Sequence, residues 1–412
     1  MKVVLRSVVT IAALAAATAI PIAAQADTGS SGGGACTWAT EMSPRTLDRI
    51  NVAYPDTNAW YWIMPYDIGP DTTLTIKGRF PDARYISFNT YDSNRANFTN
   101  GAASALADYR ITPDAGSVNP WQQTSAPGGD YTITVRPDTH ASDPNVLPLA
   151  PAGVTSGKGY LIYRMYMPAQ TPDSSSLPQV TVTTKGVAHT YGSCVENSGG
   201  LRTQLLRGIQ TLAEFVPGKM PSGTDFVRVA GAGAFPNGDN AYLVAGATRP
   251  ADGKVVVVHA KAPTVPAGSS PSVWPRPGTD VRYFSLCNNE SSVLGPVVYN
   301  PQPVGTADTG CRADSETRLD TAGFYTYVIA DESQRAAVEA IPGATFVPWS
   351  AQHPGSTHIL MLRNMLPADG FDSAIQRVAP GASAADTAAR LGEYYPRSTV
   401  CDLNAVTTGT CA

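Results

Sequence analysis

The chain has 412 residues, only 15% of them charged, with 29 Lys and Arg against 33 Asp and Glu for a formal charge of −4. The charged fraction is well below the roughly 25% of a typical globular protein. With no basic cluster in the sequence, this balance argues against nucleic acid or an anionic membrane as partner.

In chain order, Lys2 and Arg6, an apolar run over 8–22 and the small residues Ala24-Gln25-Ala26 read as a signal peptide, residues 1–26. The run contains Pro21 and is too short for a comfortable membrane span. The expected location is therefore secreted or cell-envelope associated, with no transmembrane segment in the mature chain. Residues 27–35, rich in Gly and Ser, read as a flexible lead-in.

Period-two alternation then predicts strands over 60–67, 72–78, 84–90, 131–136, 159–167 and 179–184, separated by Gly- and Pro-rich turns. The apolar stripe of Leu201, Leu205, Leu206, Ile209, Leu212, Phe215 and Val216 predicts a connecting helix within 199–216. Alternation resumes over 226–230, 241–247, 254–261, 282–286, 324–330 and 357–366. Shorter helices are expected over 371–378 and 384–394.

The two strand-rich stretches echo each other. Asn58-Ala59-Trp60-Tyr61 matches Asn240-Ala241-Tyr242-Leu243, and Asp82-Ala83-Arg84-Tyr85 matches Asp280-Val281-Arg282-Tyr283. Tyr131-Thr132-Ile133 answers Tyr325-Thr326-Tyr327, and Arg164 to Pro168 answers Arg363 to Pro367. Four blocks in one order at nearly one spacing point to a repeated unit with variable loops. The expected fold is mainly β: two duplicated antiparallel β-sandwich-like domains, 36–198 and 217–400, joined by the amphipathic helix. Of fifteen cysteine pairings, the repeat favours Cys36–Cys194, Cys287–Cys311 and Cys401–Cys411, the last closing a C-terminal tail of 401–412.

Duplication also sorts candidate residues. Arg84, Arg282, Arg164 and Arg363 occur in both copies and are expected to serve the fold. Trp60, Trp62, Met64 and Tyr66 share a strand face, with Tyr242, Val244 and Gly246 expected in register with the first three. Facing outward, such a row is a platform for sugar rings; facing inward, it is core. Tyr91, Asp92, Asn94, Arg95 and Asn97 form a polar loop found in the first copy alone. The candidate ligand-binding residues are therefore Trp60, Trp62, Tyr66, Tyr91, Asp92 and Arg95.

Catalytic signatures are sparse. No G-x-S-x-G elbow occurs, and His353 and His358 flank Ser356 too closely in sequence to suggest a converging triad. Asp67, Asp71, Asp92, Asp108, Asp331 and Glu332 could supply the paired carboxylates of a glycosidase, but most read as turn residues. Asn237, Asp239 and Asp308 carry oxygens suited to Ca²⁺ without EF-hand spacing. No metal or other cofactor is expected.

The segments Tyr54-Pro55-Asp56-Thr57-Asn58-Ala59, Gly78 to Tyr85, Asp108-Tyr109-Arg110-Ile111 and Asn364-Met365-Leu366-Pro367 resemble a group of uncharacterised exported bacterial proteins across nearly the whole mature chain. The Arg-Tyr block and Leu161 to Tyr166 are similar to tandem β-sandwich domains of unknown function in envelope-associated proteins. The resemblance implies location and fold and brings no catalytic residue. The expected function is binding of an extracellular ligand, a glycan or a lipid-like molecule. A hydrolase with a carboxylate or His-assisted site, and a structural envelope component, are the alternatives.

Overall fold

The computed structural model describes residues 36–38, 40–124, 128–193, 223–230, 235–292, 294–302 and 307–411. The expected signal peptide, lead-in and connecting helix, and Cys194, lie outside the described residues. The described chain is mainly β.

The N-terminal half contains β1 (Thr40–Met42), β2 (Ala59–Ile68), β3 (Thr72–Arg79), β4 (Ala83–Tyr91), β5 (Thr99–Asn100), β6 (Ala102–Ala103), β7 (Ala105–Ala107), β8 (Asp130–Arg136), β9 (Val146–Pro148), β10 (Gly157–Pro168), β11 (Gln179–Thr184) and β12 (Val187–Tyr191). One sheet has the order β1-β2-β10-β4-β7 and the other β12-β11-β3-β8-β9. The C-terminal half contains β13 (Asn240–Ala247), β14 (Lys254–Lys261), β15 (Val281–Glu290), β16 (Tyr299–Asn300), β17 (Asp308–Thr309), β18 (Cys311–Ala313), β19 (Phe324–Ala330), β20 (Ala344–Pro348), β21 (His358–Pro367) and β22 (Arg397–Asp402). Its main sheets run β13-β21-β15-β18 and β20-β19-β14-β22, and β5-β6 and β16-β17 are small separate ribbons. In both halves the ladders of the main sheets are antiparallel except one pair, β8 with β9 and β19 with β20.

Alternation explains the packing. In the N-terminal half, Trp62, Met64 and Tyr66 of β2, Ile86 and Phe88 of β4 and Leu161 and Tyr163 of β10 meet Leu74, Ile76, Ile133, Val135 and Val180 of the facing sheet. In the C-terminal half, Leu243, Phe284, Leu286, Leu360 and Leu362 meet Val256, Val258, Tyr325, Tyr327 and Ile329. These are face-to-face sheets around a shared apolar layer. The other faces of β2, β4 and β10 then pack onto β15 and β21 through Tyr61, Tyr85, Tyr91, Ile162, Tyr166, Tyr283 and Met365. Sandwiched in this way, every residue of β4 is buried.

Three expectations need correction. Arg164 stands opposite Tyr61 in its ladder, and Arg363 stands opposite Tyr242. Trp60 therefore corresponds to Ala241, not Tyr242, and Trp62 to Leu243; a one-residue shift exchanges the two faces of a strand. Segment 371–378 is not an α-helix but holds a single 3-10 turn, Ile375–Arg377. Its helix-like spacing reflects Phe371, Ala374, Ile375 and Val378 draped over the core. Segment 226–230 makes only an isolated bridge, Val227 to Val244, instead of a strand. Cys287–Cys311 and Cys401–Cys411 are disulfides, and Cys36 is disulfide-bonded.

Candidate functional site

The residues expected to form an aromatic platform are mostly core. Trp62 and Tyr91 are 1% and 0% exposed, Tyr66 and Arg95 are also buried, and Trp60 is half-buried against the same layer. Tyr66 lies across Gly159, where a Cβ would come within 2.4 Å of the ring, and its hydroxyl donates to the Leu149 carbonyl at 2.7 Å. The Tyr91 hydroxyl donates to the Pro236 carbonyl at 2.8 Å, joining the halves. Asp92 caps its own loop by accepting from the Asn94 and Ala96 amides. Alternation places this row on the inward face, where large rings bury the most area.

The repeated arginines stitch the seam reciprocally. Arg84 pairs with Asp314 at 3.3 Å and Arg282 with Asp108 at 2.7 Å, each across the seam and each almost fully buried. Each guanidinium also donates to the other arginine's carbonyl, at 3.3 and 3.2 Å. Asp108 further accepts from the Ile86 amide and Asp314 from the Phe284 amide. Burial pushes both carboxyls up to about 6, with the facing arginines pulling the other way. Arg164 donates to the Phe235 carbonyl at 2.8 Å and Arg363 to the Tyr54 carbonyl at 2.5 Å. These four side chains hold sheets together, and none of them presents its charge at the protein surface.

An accessible site lies elsewhere, at one end of the C-terminal pair of sheets. The turn after β13 supplies Arg249, Asp252 and, at the start of β14, Lys254; Gly253 takes φ +78° to close it. The chain leaving β19 supplies Asp331, Ser333 and Gln334, and Trp349 follows β20. Together they line a cleft of about 310 Å³. Arg249 grips Asp331 with two hydrogen bonds, 2.9 and 2.5 Å, both side chains partly solvent-exposed. The Asp331 amide donates to Gln334 at 3.1 Å. Trp349 is anchored through its indole N–H to the Pro354 carbonyl at 3.0 Å, and it stacks on His358 with centroids 3.8 Å apart. His358 is fully buried and neither ring nitrogen has a hydrogen-bond partner. Desolvation, reinforced by Arg249, pushes it down to about 3. The cleft thus offers charged and hydroxyl groups of both polarities above an aromatic floor, an arrangement suited to binding a polar molecule.

Catalytic groupings do not assemble from the expected residues. His353 Nδ1 lies 2.9 Å from Glu290, and Ser350 Oγ donates to the same carboxylate at 2.6 Å. The acid sits between serine and histidine, so no base faces the hydroxyl as a triad requires. Ser356 Oγ is spent on the His353 carbonyl. Among the expected carboxylates, Asp67 pairs with Lys158, Asp108 with Arg282 and Asp331 with Arg249. Asp308 is held by Arg312 and Arg335, and Asp239 by the Tyr85 hydroxyl. Asp56, Cys287 and Cys311 cluster closely, but the two sulfurs are bonded to each other and offer no thiolate.

Sequence reasoning named Asp331 but missed Arg249, Lys254, Ser333, Gln334 and Trp349. The available signal was their position in turns at the ends of strands, where binding residues of sandwiches gather.

No protein-family model and no curated protein matches the chain. Among solved structures, an uncharacterised protein from Burkholderia cenocepacia is similar with TM-score 0.50 and 13% identity, over 86% of this chain and 79% of that one. A protein from Vibrio parahaemolyticus gives TM-score 0.40 and 13% identity, over 84% of this chain and 90% of that one. At that identity the first likeness concerns fold alone.

Proposed function

We propose that the protein is an exported, secreted or envelope-associated binding protein that takes a small polar extracellular ligand, a glycan by class, in the end cleft of its C-terminal half. The observation that carries this reading is the 310 Å³ cleft itself, with Arg249, Asp331, Lys254, Ser333 and Gln334 around its wall. Such a lining suits hydroxyl-rich molecules better than lipid chains. The signal-like start and the disulfides Cys287–Cys311 and Cys401–Cys411 support an oxidising destination. The two halves are read as copies of one sandwich unit, 36–198 and 217–400, with 199–216 as the helical connection. Matching strand orders and the reciprocal arginine bonds support that descent.

A thermal-shift screen against soluble envelope and plant glycans tests the reading. A melting temperature that rises with one glycan in the wild type and not in Arg249→Ala is the expected result. A broad panel without any shift would sink it.

A further inference from the structure

The seam holds a second, partly open cavity, about 60 Å³, lined by Arg164, Arg363, Tyr61, Tyr166, Tyr242 and Asn237 among others. Its two arginines occupy matching places. Arg363 lies opposite Tyr242 and donates to the Tyr54 carbonyl; Arg164 lies opposite Tyr61 and donates to the Phe235 carbonyl. After those carbonyls the chain reads Pro55-Asp56 in one half and Pro236-Asn237 in the other. Here the halves part.

Asp56 accepts from the Tyr283 and Ser285 hydroxyls at 2.8 and 2.6 Å, and lies 3.8 Å from Arg363, which it neutralises. Asn237 stands at the matching place and is uncharged; it is occupied with the Tyr85 hydroxyl and the Asp239 amide. Asp239 in turn accepts the Tyr85 hydroxyl at 2.6 Å. Arg164 is 2% exposed, has no carboxylate within ion-pair distance among the described residues, and its Nη1 has no hydrogen-bond partner. A guanidinium cannot shed its proton. The rings of Tyr61 and Tyr91 lie 5.8 and 5.6 Å from its carbon, and the Tyr91 hydroxyl and buried Asp239 act on it without forming an ion pair, leaving Nη1 unpartnered. A buried charge left in this state is strongly unfavourable.

We propose that the seam cavity is an anion site, in which a compact monovalent anion such as chloride, bromide or formate binds Arg164 in place of the carboxylate that Asn237 lacks. One water needs on the order of 10–15 Å³ of such volume, so 60 Å³ admits an ion of this size but not a sugar. The site is independent of the end cleft.

Two measurements test it. Bromide-soaked crystals should show an anomalous peak within hydrogen-bond distance of Arg164 Nη1. At constant ionic strength, replacing a bulky organic sulfonate with bromide or formate should raise the melting temperature of the wild type, since a ligand of the native state stabilises it. Asn237→Asp supplies the missing carboxylate internally, so its melting temperature should not respond and bromide should be absent from its cavity. Absence of bromide at Arg164 in the wild type overturns the proposal, as does occupancy reached only at molar bromide with no thermal response, an adventitious ion only. An equal anion response in Asn237→Asp and wild type also overturns it. Should that variant not fold, the wild-type map and the wild-type response decide alone.

Discussion

The seam and the end cleft both place arginine beside aspartate, yet their charges are set to different uses. At the seam, Arg282 and Asp108 are 0% exposed, and each makes a further hydrogen bond with the backbone of β4, Arg282 to the Arg84 carbonyl and Asp108 from the Ile86 amide. In the cleft, Arg249 and Asp331 are 33% and 41% exposed, and the water around them can be exchanged for a ligand. A buried pair specifies how two sheets meet and punishes the loss of either member. An exposed pair adds little stability and leaves its donors available. The same residue types are structural in one place and suited to recognition in the other, and burial decides which.

The largest effect expected from breaking this contrast is at the seam. Removing one member, as in Asp108→Ala or Arg282→Met, should lower stability by about 3–5 kcal/mol, read from urea melts. Replacing both with apolar residues, Asp108→Leu with Arg282→Met, should cost clearly less than the sum of the single changes, because no charge is then stranded. Strict additivity would remove the seam pair from the account.

Beneath the cleft floor, His358 gives a pH signature of comparable size at acid pH. Its folded value of about 3 lies below the ordinary 6.5, so below pH 6.5 the unfolded chain takes up a proton that the folded chain refuses. Stability should therefore fall as pH drops from about 6.5 toward 3, by on the order of 4 kcal/mol at the low end. Asp108 and Asp314, raised to about 6, contribute in the opposite sense: stability present at low pH is lost as pH rises through about 6. Comparing His358→Phe with wild type cancels those carboxyls. The phenyl ring keeps the stack on Trp349, and the variant should gain on wild type progressively below pH 6.5. Parallel stability profiles for the two proteins would show that His358 protonates freely in the fold.

The smallest stability effect belongs to the cleft. Arg249→Ala should change stability by under about 1 kcal/mol while removing the thermal response to a bound glycan. A loss of several kcal/mol would make the Arg249–Asp331 pair structural, like those at the seam.

Much of the fold was legible because alternation survives wherever one strand face meets the core. Gln179–Thr184, Lys254–Lys261 and Phe324–Ala330 fall where the pattern places them. The match of Asn58 with Asn240 misled by one residue: the Met167 amide binds the Asn58 carbonyl, while the equivalent Leu366 amide binds that of Asp239. Backbone pairing, not side-chain likeness, fixes register, and no sequence pattern reports it. The short strand β20 and its parallel pairing to β19 likewise depend on a partner distant in sequence. Repetition did mark Arg84, Arg164, Arg282 and Arg363 as residues of the fold. The cleft was largely illegible because its walls come from turns about eighty to a hundred residues apart, with no motif in common.

Hydrogen exchange, measured with and without the glycan that shifts the melting temperature, tests most directly whether ligand recognition resides in the cleft. Added protection at amides 249–254 and 331–334, with the seam strands β2, β4 and β10 unchanged, is the result this account predicts. Protection concentrated in those seam strands, with the cleft turns unaffected, would contradict it.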